Sequence, residues 1–141
     1  MGTFFKILTL LCLLTSCAPK ETSSLIHKYE YSDVGDKMIS YLDVFNCPEN
    51  EYYIYYFQEK CYHCHGIKSK VIGFALSNKK PFYFVDIEKD YGFTSRTKED
   101  TIGTNNPVEA FALMTPQLSI VEYGYIVETY IGDEEILNII E

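Results

Sequence analysis

Apolar residues along the chain change their spacing several times, and each change marks an element. Ile7 to Leu14 is an apolar run, interrupted only by Thr9, behind Lys6. From Ala18 to about Asp33 there is no sustained period and polar residues dominate, which predicts a tether. Met38, Tyr41, Leu42 and Phe45 then recur at helical spacing behind Asp36, with Pro48 soon after, so a short amphipathic helix is expected. "EYYIYYFQ", residues 51–58, is almost wholly aromatic and β-branched, as in a strand buried on both faces at the centre of a sheet. Directly after it, Ile67, Val71 and Ala75 form a helical stripe flanked by Ile72 and Leu76, which Ser77, Asn78 and Pro81 bring to a stop. "FYFVDI", residues 82–87, is a second strand, and the intervening crossover helix makes the two strands parallel.

Residues 88–105 are polar and irregular, long enough to suggest a functional or mobile loop. Asn106 is placed to cap a short helix with Pro107 at its first position, continuing from Val108 to Leu113. After Thr115 and Pro116, "QLSIVEYGYIVETYIG" reads as two strands around a tight turn at Tyr123 and Gly124, closed by Gly132. Asp133 is expected to cap a final helix whose apolar face is Ile136, Leu137, Ile139 and Ile140. No internal repeat or low-complexity segment interrupts this order.

The chain has 141 residues, 47% of them apolar and 16% aromatic, enough for one domain with a real core. A formal net charge of -8 disfavours nucleic-acid binding through phosphate contacts. The N-terminal run follows a lysine and ends in the small residues Thr15 and Ser16, as an export signal does. It is shorter than the roughly 20 residues that a membrane-spanning helix needs. Leu14-Thr15-Ser16-Cys17 resembles the bacterial lipobox. That resemblance implies cleavage before Cys17 and acylation of its thiol, with each buried methylene contributing about 0.8 kcal/mol to membrane binding. The expected organisation is a signal peptide over 1–16, a lipidated cysteine and tether over 17–35, and one domain over 36–141. The expected location is extracytoplasmic, on a bacterial membrane, at the cell surface or in the periplasm.

Of five cysteines, Cys12 would leave with the signal and Cys17 would be acylated, so Cys47, Cys61 and Cys64 would remain. "CYHCHG", residues 61–66, is open to four readings. A structural staple across two residues closes too small a loop to gain much chain entropy. Cys61, Cys64 and His65 also spell a haem c attachment motif, with Met114 as a possible distal ligand, a reading that expects a mostly helical electron carrier. Zinc would need a second ligand pair, and Cys47 and His27 form no such motif. Cys47 is most simply a buried thiol at the end of the first helix. The fourth reading is a redox-active disulfide at a strand-to-helix junction, the place where backbone N–H groups stabilise a thiolate.

The order of elements, with Glu59 two residues before the first cysteine and with Pro116, Gly124 and Gly132 spaced as they are, resembles the thioredoxin-like superfamily over roughly residues 36–141. The resemblance implies an α/β fold with a central mixed sheet of about four strands flanked by helices. It implies a Cys61–Cys64 dithiol/disulfide in which Cys61 is the nucleophile and Cys64 the resolving thiol. It makes Pro116 a cis-proline and gives Thr115 backbone groups that pair with an extended substrate. Lys60, Tyr62, His63, Thr115 and Pro116 would form a rim that tunes potential and binds substrate. The chain departs from ordinary thioredoxins at Lys60, at Tyr62-His63 between the cysteines, at Tyr55 where they bury a carboxylate, and at Ser69 where they have a helix-kinking proline. A histidine before the second cysteine resembles the more oxidising members. The expected activity is protein thiol-disulfide exchange by a membrane-anchored oxidoreductase, with no organic cofactor or metal and a membrane redox partner that resets the dithiol. Oxidation, reduction and isomerisation all stay open, and the alternative is a non-catalytic binding lipoprotein on the same fold.

Overall fold

A computed structural model of the protein describes residues 27–89 and 92–141. The lipobox and Cys17 lie outside the described residues. Four strands, β1 (Glu51–Phe57), β2 (Phe82–Asp86), β3 (Gln117–Glu122) and β4 (Tyr125–Ile131), form one sheet in the order β2-β1-β3-β4. β1 runs parallel to β2, with Tyr55 opposite Phe84, and antiparallel to β3, with Tyr55 opposite Leu118. The helices are α1 (Tyr62–Ser77), α2 (Lys98–Thr101) and α3 (Asp133–Ile140).

The aromatic run of β1 is buried on both faces because both faces of the sheet are covered. Tyr55 and Phe57, with Phe82, Phe84 and Leu118, pack under Ile67, Val71, Ile72 and Ala75 of α1 and Ile136 of α3. Tyr52, Ile54 and Tyr56 point the other way, against Val44, Val85, Ala110, Phe111, Val121 and Ile126. Each large side chain so buried contributes about 1.5–3 kcal/mol, so the alternation along β1 sets the position of both layers.

Several expectations are corrected. Instead of one helix behind Asp36 there are two 3-10 stretches, Tyr31–Lys37 and Tyr41–Asp43. Between them Met38 bridges Phe84 and the Ile39 N–H donates to the Phe84 carbonyl at 2.9 Å, because the open edge of β2 offers the backbone a better partner than a helix does. The span expected as tether up to residue 35 is partly core. Val34 is fully buried, and Tyr31 stacks on Phe57 with ring centroids 3.8 Å apart. This N-terminal strap crosses α1. The Tyr29 N–H donates to Ser69 Oγ at 2.7 Å, Glu30 pairs with the nearly buried Lys68, and a Cβ at Gly73 would meet the Tyr29 ring at 3.1 Å. The helix expected over Val108–Leu113 is a single 3-10 turn, Pro107–Glu109, although Asn106 caps it as expected, and the long polar loop contains α2 with a Thr97–Asp100 capping box. Gly132, at φ 87°, is the N-cap of α3, and Asp133 is the first helical residue, its side chain engaged elsewhere.

Candidate functional site

The site is built where β1 ends and α1 begins. Cys61 is the N-cap of α1 in extended geometry, φ -74° and ψ 119°, and its Sγ accepts the Cys64 N–H at 3.1 Å. Cysteine thus occupies the place where serine or aspartate usually satisfies the first free amides of a helix. Cys61 and Cys64 are joined as a disulfide, with Cα atoms 5.2 Å apart. Cys61 is partly exposed while Cys64, one turn on, is fully buried against the core. The two sulfurs therefore differ in access, the outer one open to a partner and the inner one to its neighbour alone.

The cis Thr115–Pro116 peptide enters β3 opposite this helix end. The Thr115 carbonyl lies 3.5 Å from Cys61 Sγ, and its hydroxyl donates to Gln58 Oε1 at 3.5 Å. Pro116 is buried, and its carbonyl accepts the Gly132 N–H at 2.9 Å, tying the loop to the start of α3. Tyr62 stands 85% exposed, its ring edge-on to His63 at 5.5 Å. His63 Nδ1 is 3.0 Å from Asp133 Oδ2, a link across 70 residues that holds the Asp133 carboxyl below the usual carboxylate range, mainly through this hydrogen bond. Lys60 is exposed at the mouth of the site.

Sequence reasoning missed Asp133 as a member of this site, together with Gln58 and the exposed Leu113 and Met114 beside Thr115. Their only signal was nearness in sequence to Cys61, Gly132 and Pro116. Met114 is 58% exposed and His65 is exposed too. The haem reading expected a mostly helical chain, and the four-stranded sheet overturns it. Cys47 is not deep in the core at a helix end. It is half-buried, its thiol directed at the Asp43 carbonyl at 3.7 Å. Among the described residues no three His, Cys, Asp or Glu side chains converge on a metal-sized site.

No protein-family model matches the chain, and no curated protein does. Solved structures do match. Mitochondrial thioredoxin 3 from Saccharomyces cerevisiae is 10% identical with a TM-score of 0.51, over 74% of this chain and 92% of that one. Thioredoxin f2 of Chlamydomonas reinhardtii is 11% identical with a TM-score of 0.51, over 73% and 91%. A thioredoxin of Plasmodium falciparum is 19% identical with a TM-score of 0.50, over 74% and 95%. The chain has the thioredoxin fold.

Within that fold the positions singled out as departures acquire physical content. Tyr55 is fully buried, and burial holds its phenol well above its ordinary range, so it stays neutral and takes no proton at neutral pH. Ser69 carries a hydroxyl that accepts from the N-terminal strap, which explains why this helix gains from a polar residue there.

Proposed function

We propose that the chain is a thiol-disulfide oxidoreductase held outside the cytoplasm by acyl chains on Cys17, with Cys61 as nucleophile and Cys64 as resolving thiol. One observation carries the reading: the Cys61 sulfur caps a sixteen-residue helix, accepts the Cys64 N–H, is paired with Cys64 and lies beside the Thr115 carbonyl. A thiolate there is stabilised by the backbone amides and the positive end of the helix dipole.

In the reducing direction the Cys61 thiolate attacks one sulfur of a substrate disulfide. That S–S bond breaks, its electron pair leaves on the other substrate sulfur, which takes a proton from solvent, and a mixed disulfide remains. Cys64 gives its proton to solvent and attacks Cys61 Sγ, forming the Cys61–Cys64 bond and expelling the second substrate thiolate. Run backwards, the same steps oxidise a substrate dithiol. Substrates are proteins whose extended segments pair with the Thr115 backbone, and Lys60, Tyr62, His63 and Pro116 complete the rim. A membrane protein carrying its own dithiol or disulfide resets the pair, since an exported domain has no direct supply of cytosolic reductant. The cycle uses the two cysteines alone, without organic cofactor or metal.

The test uses the full chain in a bacterial host. Cys64→Ala should accumulate mixed disulfides that dithiothreitol releases, and Cys61→Ala should accumulate none and turn nothing over. Turnover by Cys61→Ala would overturn the assignment, and a wild-type pair that never cycles in glutathione buffers would move the reading to the non-catalytic binding lipoprotein. The same titration gives the direction of flow: about -120 to -180 mV marks a disulfide donor or isomerase, and about -270 mV a reductase. Cys17→Ala should release the protein from the membrane fraction.

A further inference from the structure

Gln117 directly follows Pro116 and is fully buried. Its Oε1 accepts the Ala112 N–H at 2.8 Å, and its Nε2 donates to the Ala110 carbonyl at 2.8 Å and to Ser119 Oγ at 2.9 Å. The backbone partners settle which end is which, because an amide N–H only donates and a carbonyl only accepts. Beyond Ser119 the bonds run one way. The Thr101 hydroxyl has to donate to the Lys98 carbonyl, at 2.7 Å, so Thr129 donates to Thr101 at 2.7 Å and Ser119 to Thr129 at 3.1 Å. A chain of hydrogen bonds thus joins α2, the hairpin and the segment before Pro116, with every hydroxyl proton assigned.

The segment it reaches has a particular need. Ala110, Phe111 and Ala112 are buried, and no helix or strand includes them. Buried backbone groups outside regular structure still need hydrogen-bond partners, and Gln117 supplies one on each side of Phe111. Immediately afterwards the chain turns outward. Leu113 takes φ 59°, a left-handed conformation unfavourable for leucine, and is 51% exposed, followed by Met114 and then Thr115 beside Cys61. A strained, exposed turn persists only when its surroundings over-determine it. The carboxamide fixes the residue directly before it, through the Ala112 N–H.

We infer that Gln117 is a positioning residue for polypeptide substrates: it clamps the Ala110–Ala112 backbone so that Thr115 stands ready beside Cys61 before a substrate strand arrives. The inference rests on the proposed function. A substrate that pairs with the loop backbone gains from this preorganisation, whereas a small disulfide that needs only the Cys61 sulfur does not.

The experiment compares two disulfides with the full chain: a twelve-residue peptide disulfide and 5,5'-dithiobis(2-nitrobenzoate). Gln117→Met, of similar length without hydrogen-bonding groups, should raise KM for the peptide about tenfold, the effect of losing one to two net hydrogen bonds. The rate with the small disulfide and the equilibrium constant of the Cys61–Cys64 pair with glutathione should stay within about twofold. Thr101→Val, which cuts the far end of the chain and leaves the clamp, should change neither. If Gln117→Met does not fold, Gln117→Asn, one methylene shorter, should show the same split. In the unaltered chain the Ala112 amide should resist hydrogen exchange as β3 amides do. Equal slowing of both disulfides, an unchanged peptide KM, or fast exchange at Ala112 would each overturn the clamp while leaving the proposed function standing. A wild-type chain inert to both disulfides would remove the function and the inference together.

Discussion

At Cys61 the sulfur caps a sixteen-residue helix and accepts the Cys64 N–H at 3.1 Å, whereas at Cys47 the thiol points at the Asp43 carbonyl at 3.7 Å with no long helix behind it. The first surrounding favours a negative sulfur. The second opposes one: burial, and the charges of Glu49 and Asp43, push the Cys47 thiol up to about 11. Two cysteines of one chain thus have opposite surroundings, one that would stabilise a thiolate and one that opposes it, set by the direction of nearby dipoles and charges.

The largest test of that contrast is deletion. Cys61→Ala should abolish disulfide exchange, while Cys47→Ala should keep the rate within about twofold, since Cys47 touches no part of the site. Loss of activity in Cys47→Ala, measured on protein shown to be folded, would break the comparison. Next is alkylation of the reduced protein by iodoacetamide at pH 8. With its thiol pushed up to about 11, Cys47 should react about a hundredfold more slowly than an unperturbed cysteine, and its rate should keep rising as pH climbs toward that value. Labelling of Cys47 as fast as Cys61 would show that the buried state is not the one in solution.

A smaller effect belongs to the Cys61 side. The folded Asp133 carboxyl is depressed by its hydrogen bond to His63. A depressed acid adds stability that is present above its unfolded value, near about 3.9, and is lost as pH falls through the lower folded value. The link therefore persists at neutral and mildly acid pH and fails only in strong acid. His63→Gln should return the Asp133 titration upward toward the ordinary range, read by carbon-13 NMR, and change Cys61 alkylation by about threefold. An Asp133 titration that does not move would show that the pair does not form in solution. The smallest change expected is at Glu49. Glu49→Gln removes one charge near Cys47 and should speed its alkylation by about twofold, an effect that added salt should mask in the wild type.

Where short-range pattern governs, the reading from sequence held. β1, α1, β2 and the hairpin stand where aromatic runs, the helical stripe and Tyr123-Gly124 put them, and Asn106 caps its turn. The N-terminal strap was not legible, because Tyr29, Tyr31 and Val34 bury themselves with a spacing that fits no period among polar neighbours. The helix expected behind Asp36 failed for a related reason. Its apolar spacing was real, but the free edge of β2 claimed the backbone of Met38 and Ile39. Gln117 looked like a polar position in an ordinary strand, and nothing local marks it as the partner of Ala110 and Ala112.

The sequence by itself determined the four strands, α1 and the placing of Cys61 and Cys64 at the head of that helix, since periodicity, capping and residue spacing act over one or two turns of chain. Only the tertiary structure decided what meets the sulfur there. Thr115 reaches Cys61 across 54 residues and Asp133 reaches His63 across 70, while Gln117 holds the loop between them. Such meetings are set by how the sheet stacks its two faces against helices, strap and loops, and that burial is summed over the whole core and written in no single stretch of it.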